Sequence, residues 1–147
     1  MFPDGMVSDT LEEKFAEIAD GSFGQNPSAA GEGPDNYKKM GKEAGFEPTN
    51  AFSPESYDAA ALMLLAMQAA GSNDPAAYKE KVMEVANAPG EKILPGELGK
   101  ALQIIKDGGD VDYVGASAVE LIGPGESAGN YREIEMKDGK MVTVGYR

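Results

Sequence analysis

Two positions in the chain carry side chains whose types and settings suit the recognition of a small molecule. Asp4 precedes Gly5 at the end of a short apolar opening, where its carboxylate could bind an ammonium group. Tyr57 lies at the start of a long apolar segment and could offer a phenol hydroxyl together with the face of its ring. Each position also has a purely structural interpretation, as an Asp-Gly turn and as packing at a helix entry. The residues alone leave both interpretations open.

The sequence lacks the usual residues of nucleophilic and metal-dependent catalysis. It contains no cysteine and no histidine, which excludes thiolate nucleophiles, Cys/His zinc sites and histidine-based triads. The acidic run from Asp107 to Asp112 departs from a calcium loop, because Val114 and Leu121 stand where calcium ligands are needed. We therefore predict no catalytic residue, no metal site and no cofactor.

Composition and charge narrow the range of partners. The chain has 147 residues, of which 41% are hydrophobic and 26% charged, which suits one globular domain with a core. Its net charge of −12 argues against nucleic acid and against an anionic membrane surface as partners, because both need clustered Lys and Arg. The opening residues lack the features of a secretion signal, so we expect any signal to lie upstream.

The segment from Ser53 to Ser72 has the pattern of a complete helix. Ser53 is predicted to cap its start, and Gly71 is predicted to close its end in a left-handed conformation. Between Ala59 and Ala70 only Gln68 is polar, so the segment has almost no solvent face. A helix that is apolar all round is predicted to be buried on several sides.

The remaining patterns place helices first and strands last. Periodicity and punctuation predict further helices over about Asp9–Asp20, Pro34–Gly45, Pro75–Ala88 and Leu94–Asp107. Residues 21–33 indicate a loop or an irregular strand, and Val119–Ile122 a short strand. Alternation over Tyr131–Met136 and Met141–Tyr146, around Asp138-Gly139, predicts a carboxyl-terminal β-hairpin. Such a hairpin needs further strands to pair with, and the patterns supply few.

Four segments of the sequence, taken in order, resemble a known family. They are Ser56–Ala59 at the start of the apolar helix, Leu94–Leu102, Asp112–Ser117 and Gly129–Lys140. Together they resemble the carboxyl-terminal part of the type I periplasmic solute-binding proteins, the branched-chain amino-acid receptors of ABC transporters. The resemblance implies an α/β fold, namely the helix-rich carboxyl-terminal portion of a two-lobed structure that ends in a β-hairpin.

The resemblance also implies a division of the chain between two lobes. Residues 1–28 would belong to the second lobe, residues 29–128 would pack as helices on the sheet of the first lobe, and residues 129–147 would return as a hairpin to the second. In the sequence after Ser117, the run from Ala118 to Glu126 departs from the family's usual continuation.

The resemblance assigns functional roles to the two positions named at the outset. Asp4, with Gly5 behind it, would bind the α-ammonium group of an amino-acid-like ligand from one lobe. Tyr57 would line the cleft from the other lobe. The expected function is non-enzymatic solute binding in the periplasm or outside the cytoplasm, with membrane subunits of an ABC transporter as protein partners. We expect this chain to carry only part of the cleft.

An alternative function is that of an acidic, helix-rich assembly domain with no small-molecule ligand. The high negative charge and the shortage of sheet partners are compatible with this alternative. In either case, unpaired sheet edges and apolar helix faces are expected to favour self-association of the chain.

Overall fold

A computed structural model describes residues 1–50 and 52–147 of the chain. The α-helices of the described part are α1 (Asp9–Ala19), α2 (Glu32–Ala44), α3 (Ser53–Ala70), α4 (Pro75–Tyr78), α5 (Val82–Ala86) and α6 (Leu98–Lys106). Its strands are β1 (Phe23–Pro27), β2 (Glu91–Ile93), β3 (Val111–Tyr113), β4 (Leu121–Gly123), β5 (Glu126–Ser127), β6 (Tyr131–Lys137) and β7 (Lys140–Tyr146). Two short 3-10 helices cover Asp4–Met6 and Lys79–Lys81.

The carboxyl-terminal hairpin is confirmed. Strands β6 and β7 pair in antiparallel fashion, and the pair Lys137 and Lys140 closes a two-residue turn. The turn residues Asp138 and Gly139 both have positive φ, 52° and 73°. This backbone twist matches that of the flanking strands, and Asp-Gly adopts it at little cost.

The expected shortage of partner strands for the hairpin is wrong. Strand β1 pairs antiparallel with β6, from Phe23 opposite Glu135 to Pro27 opposite Tyr131, so one sheet has the order β1-β6-β7. The inward residues of β1 are Gly24 and Asn26. Neither is apolar, so the alternation of apolar and polar residues that marks a half-buried strand is absent from this segment.

Helix α1 covers this sheet. Leu11 and Ala19 of α1 form a buried apolar cluster with Met136 of β6. The carboxylate of Glu12 also accepts a hydrogen bond from the backbone N–H of Met141 in β7. The amino-terminal helix is therefore attached to the carboxyl-terminal hairpin through both apolar and polar contacts.

The larger core lies among the helices of the middle of the chain. Strands β2 and β3 form a parallel pair, and α3, α5 and α6 pack around it. The buried residues are Ala61, Leu62, Leu65, Ala66, Val85, Ala86, Ile93, Ala101, Val111 and Tyr113. The sequence patterns did not predict β2 and β3, because three-residue strands are too short to display a period. The expected separation of helices and strands along the chain is therefore wrong.

Helix α3 has one buried face, and the prediction that it is buried on several sides is wrong. Leu65 and Ala66 are fully buried, but Met63 and Leu64 on the opposite face are 45% and 48% exposed. The prediction that Ser53 caps the helix is also wrong. Phe52 holds the cap position, and the hydroxyl of Ser53 shares a 2.6 Å hydrogen bond with that of Tyr37.

Three other boundaries differ from the sequence predictions. Helix α6 begins at Leu98 rather than Leu94, because a turn with Gly96 at φ 94° precedes it. The helix predicted over Pro75–Ala88 is divided into α4, a 3-10 turn and α5. The strand predicted over Val119–Ile122 begins two residues later, as β4, where it pairs with β5.

Two crossing segments connect the three-stranded sheet to the helical core. The first leaves β1 at Pro27 for α2, and the second leads from the loop after β3 back to β6. They run side by side, since the N–H of Ser28 donates to the carbonyl of Asn130 at 3.0 Å. The strands of the sheet thus come from residues 1–28 and 129–147, the two stretches predicted to belong to the second lobe. Their correspondence to the lobes of a larger protein stays a prediction.

The free side of β7 generates a prediction about association. Within the described strands, β7 forms an edge of its sheet, and Val144 is 57% exposed there. An exposed apolar edge strand is a template for pairing between chains. We expect concentration-dependent self-association of the wild-type chain in sedimentation velocity, and its reduction by Val144→Lys.

The matched control for this experiment is Ile18→Lys, which places the same charge at an 81% exposed position on α1. Association that Ile18→Lys reduces as strongly as Val144→Lys would show a general charge effect. A monodisperse wild-type monomer at high concentration would contradict the prediction directly.

Candidate functional site

Asp4 and Gly5 lie in the 3-10 helix Asp4–Met6, on the surface beside the sheet. Both residues are exposed. The carboxylate of Asp4 accepts a 2.7 Å hydrogen bond from the backbone N–H of Gly5 through Oδ1. A Cβ at Gly5 would meet no atom within 4 Å, so internal packing does not require a glycine there. The second carboxylate oxygen of Asp4 is available to an external donor in this arrangement.

Tyr57 lies in the first turn of α3 and is half-buried. Its hydroxyl accepts a 3.2 Å hydrogen bond from the backbone N–H of Gly96, in the turn before α6. Its ring packs against that of Tyr37, with the centroids 5.2 Å apart and the planes tilted by 48°. Tyr37 itself is buried. These contacts fix both ends of the Tyr57 side chain and leave part of its surface accessible.

The structure places the two predicted site residues in different parts of the fold. Asp4 lies next to β1, because the neighbouring Phe2 forms a bridge with Gly24. Tyr57 lies on the helical core. Among the described residues, no hydrogen bond joins the two side chains. Their joint contact with one ligand therefore stays a prediction.

Asp58, the residue after Tyr57, forms the most extensively hydrogen-bonded side chain of this region. It is 2% exposed. Its Oδ1 accepts from the hydroxyl of Tyr113 at 2.8 Å and from the N–H of Ala116 at 2.7 Å. Its Oδ2 accepts from both the N–H and the hydroxyl of Ser117, at 2.7 and 2.6 Å. Four donors therefore satisfy one buried carboxylate.

Sequence reasoning missed this role of Asp58. A signal existed, since an acidic residue one turn inside an otherwise apolar helix needs a partner when that helix is buried. The two segments Ser56–Ala59 and Asp112–Ser117, noted separately in the sequence, are the segments that this carboxylate joins.

Two glycines allow the close approach of backbone segments around Asp58. Gly115 has φ 72°, and a Cβ there would lie 2.6 Å from Oδ2 of Asp58. A Cβ at Gly33, in the first turn of α2, would lie 2.0 Å from the carbonyl oxygen of Gly115. Both distances are too short for a side chain. The start of α2, the start of α3 and the loop after β3 therefore meet at this point.

The buried setting changes the ionisation of two neighbouring groups. Burial raises the pKa of the Tyr113 phenol well above its usual range, and the charge and hydrogen bond of Asp58 act in the same direction. Burial also raises the pKa of Glu55, with a further contribution from the negative charge of Asp58. Both shifts favour the neutral form, because charge is costly in a poorly solvated site.

Comparison with known proteins identifies the fold. A leucine-binding protein, LivK from Thermotoga maritima, superposes on 98% of this chain with a TM-score of 0.65 and 18% sequence identity. The chain has part of the type I periplasmic-binding-protein fold. The match spans 35% of the LivK chain.

A relative was also found at the level of sequence. The substrate-binding protein BasB of a chemotactic signal transduction system, from Halobacterium salinarum, is 31% identical over 97 residues. The aligned region is 65% of this chain and 24% of BasB. No protein-family model matches the sequence. The chain thus spans about a quarter of BasB and about a third of LivK.

In the described part of the chain, no three acidic side chains converge to form a possible metal site. None of the helices described above combines the length and the apolar character needed to cross a bilayer.

The hydrogen bonds of Asp58 generate a prediction about stability. Asp58→Ala would leave several buried donors without an acceptor, each at a cost of about 1–3 kcal/mol. We expect the free energy of unfolding in urea to fall by roughly 3–5 kcal/mol. Asp74→Ala is the control, because among the described residues the carboxylate of Asp74 accepts only from the N–H of Ala76, at the exposed start of α4. That change should cost about 1 kcal/mol. Equal losses in the two variants would contradict the special role of Asp58.

The shifted pKa of Tyr113 generates a prediction about alkaline pH. A phenol whose pKa is raised by folding stabilises the native state fully below its unfolded pKa, near 10.0. That contribution is lost as the pH rises above this value, because the unfolded chain then releases a proton that the folded chain retains. We expect the unfolding free energy of the wild type to fall more steeply between about pH 10 and 11 than that of Tyr113→Phe, by up to ~1.4 kcal/mol per pH unit. Identical slopes in the two proteins would contradict the shift.

Proposed function

We propose that the chain is part of an extracytoplasmic solute-binding protein that delivers an amino-acid-like ligand to an ABC transporter. The observation that carries the proposal is the 31% identity to a substrate-binding protein. The likeness of fold to a leucine-binding protein over nearly the whole chain supports the same class of function. Binding between two lobes requires no catalytic group.

Asp4 and Tyr57 are the proposed ligand contacts from this chain. The exposed carboxylate of Asp4 would accept a charge-assisted hydrogen bond from the ligand's ammonium group, with Gly5 allowing close approach of the backbone. The accessible part of the Tyr57 ring would cover the ligand from the helical core. Closure of one lobe on the other would bring the two residues together and exclude water.

The proposed cleft is only partly formed by this chain. The chain spans 24% of BasB and 35% of LivK, so most of the length of each of these proteins has no counterpart in this chain. The exposed apolar face of α3, with Met63 and Leu64, is the kind of surface that the remainder of a lobe would cover. The groups that would hold the ligand's carboxylate belong to that remainder.

An NMR titration of the chain with leucine and a panel of other amino acids tests this proposal. Half a cleft gains few contacts to offset the entropy lost on binding, so we expect a Kd of about 1 mM or weaker. The shifts should be largest at Asp4, Gly5 and Tyr57. Absence of any shift at these residues throughout the panel would contradict the assigned contacts, and micromolar affinity would contradict the incomplete cleft.

Two matched pairs of variants sharpen the titration. Asp4→Asn should abolish the shifts, while Asp110→Asn removes an equal charge from an exposed position elsewhere and should leave them unchanged. Tyr57→Ala should weaken binding, while Tyr78→Ala removes a ring of equal size that packs on the helical core. Equal effects within either pair would indicate a general loss of charge or stability.

A second candidate function is delivery of the ligand to a signalling receptor. The role of BasB in a chemotactic signal transduction system favours this candidate. The ligand site would be the same in both cases, and the two candidates differ in the membrane partner that recognises the closed protein.

A further inference from the structure

A cavity lies between the three-stranded sheet and α2, next to Tyr37, whose ring packs against that of Tyr57. One wall comes from the ends of the strands, with Asn26, Arg132 and Tyr146. The opposite wall comes from Tyr37 and Lys38 of α2 and from the loop 48–50 that follows it. The cavity volume is about 120 Å³. A water molecule takes up about 30 Å³ in the liquid, so the cavity is several times larger than one water and can admit a small oxyanion.

The strand side of the cavity is a row of directly paired residues. Asn26 of β1 lies opposite Arg132 of β6, and Arg132 lies opposite Tyr146 of β7. Residues opposite one another on neighbouring strands project from the same face of a sheet. The row therefore presents an amide, a guanidinium and a phenol side by side to one cavity.

The guanidinium of Arg132 is held at one nitrogen only. Its Nε donates to Oδ1 of Asn26 at 3.2 Å, and Asn26 is 6% exposed with its Nδ2 directed to the carbonyl of Pro27. No described residue accepts from the two Nη groups of Arg132 or forms an ion pair with it. The chain's other arginine, Arg147, is paired with Glu133 at 2.7 Å.

The charge of the cavity is opposite to that of the protein. The described residues that line it include two cations, Lys38 and Arg132, and no acidic side chain, in a chain with 25 acidic residues. The nearest carboxylate partner of Lys38 is that of the exposed Asp35, at a loose 3.7 Å. An arginine fork in a confined space favours planar or tetrahedral oxyanions, because it donates several hydrogen bonds in fixed directions.

We propose that this cavity is an oxyanion-binding site, which takes the carboxylate or phosphate group of a small molecule on the Nη groups of Arg132, with Lys38 opposite. The residues that line the cavity include neither Asp4 nor Tyr57, so this proposal does not depend on the proposed amino-acid site. The two walls of the cavity belong to the sheet and to the helical core. A bound oxyanion would therefore strengthen the contact between these two parts of the fold.

The test is an NMR titration of the full chain with inorganic phosphate, and separately with acetate, at constant ionic strength and constant chloride concentration. The side-chain signals of Asn26 and the Nε–H signal of Arg132 should shift and saturate. Tighter binding of phosphate than of acetate would indicate that the natural ligand carries a phosphate group. Tighter binding of acetate would indicate a carboxylate. No saturable shift with either ion would overturn the proposal.

Arg132→Gln should weaken this binding at least about tenfold, as expected for the loss of a charged hydrogen-bonding partner. Arg147→Gln removes an equal charge at the end of the same sheet, where Arg147 contacts Glu133 and not the cavity, and should leave the affinity unchanged. Equal weakening by the two variants would show that phosphate binding responds only to the net charge of the protein, and would overturn the proposal.

A further variant covers the case in which Arg132→Gln does not fold. Lys38→Gln changes a partly exposed side chain on the opposite wall and should also weaken phosphate binding. Unchanged affinity in Lys38→Gln together with an unfolded Arg132→Gln would overturn the assignment. Asp4→Asn should leave phosphate binding unchanged, so failure of the amino-acid site and failure of this site give different results.

Discussion

The burial of one carboxylate constrains the arrangement of the helical core. Asp58 is buried, and a buried carboxylate is tolerated only when hydrogen-bond donors surround it. Those donors come from β3 and from the loop that follows it, more than fifty residues further along the chain. The start of α3 is therefore tied to the end of the parallel strand pair. Gly115 and Gly33 lack side chains at the two points where any Cβ would disturb this contact.

The hydrogen bonds of that carboxylate also fix the position of the neighbouring Tyr57. Tyr57 precedes Asp58, so the anchoring of Asp58 fixes the first turn of α3 and with it the direction of the tyrosine. The contacts to Tyr37 and Gly96 then hold the ring and the hydroxyl. A side chain that is held in this way by packing and hydrogen bonds keeps a fixed geometry. The exposed 3-10 helix that carries Asp4 has fewer such contacts.

The sequence predicted the parts of the fold that display a local pattern. The hairpin around Asp138-Gly139 and the long helix α3 follow from turn chemistry and from helix punctuation, and both are present. The strands β2 and β3 could not be predicted, since each has three residues and depends on its partner for its conformation. Strand β1 was ambiguous because Gly24 and Asn26 occupy its inward positions. The position of Asp58 in an apolar helix indicated that it needs a partner, but the partners themselves lie in a distant segment that no local pattern identifies. The extent of burial of α3 depends on what covers it.

The two crossing segments limit how the sheet can move relative to the helical core. A single flexible connection would allow rotation in every direction. Here two connections run side by side, joined by the bond from Ser28 to the carbonyl of Asn130, and Asn130 also donates to the carbonyl of Ala118. Two parallel connections resist twisting and shearing of the sheet relative to the helical core. Either motion would slide one crossing segment past the other and break the hydrogen bond between them. Bending about an axis through the two crossing segments disturbs neither bond. The easiest relative motion of the sheet and the helical core is therefore hinge bending about that axis.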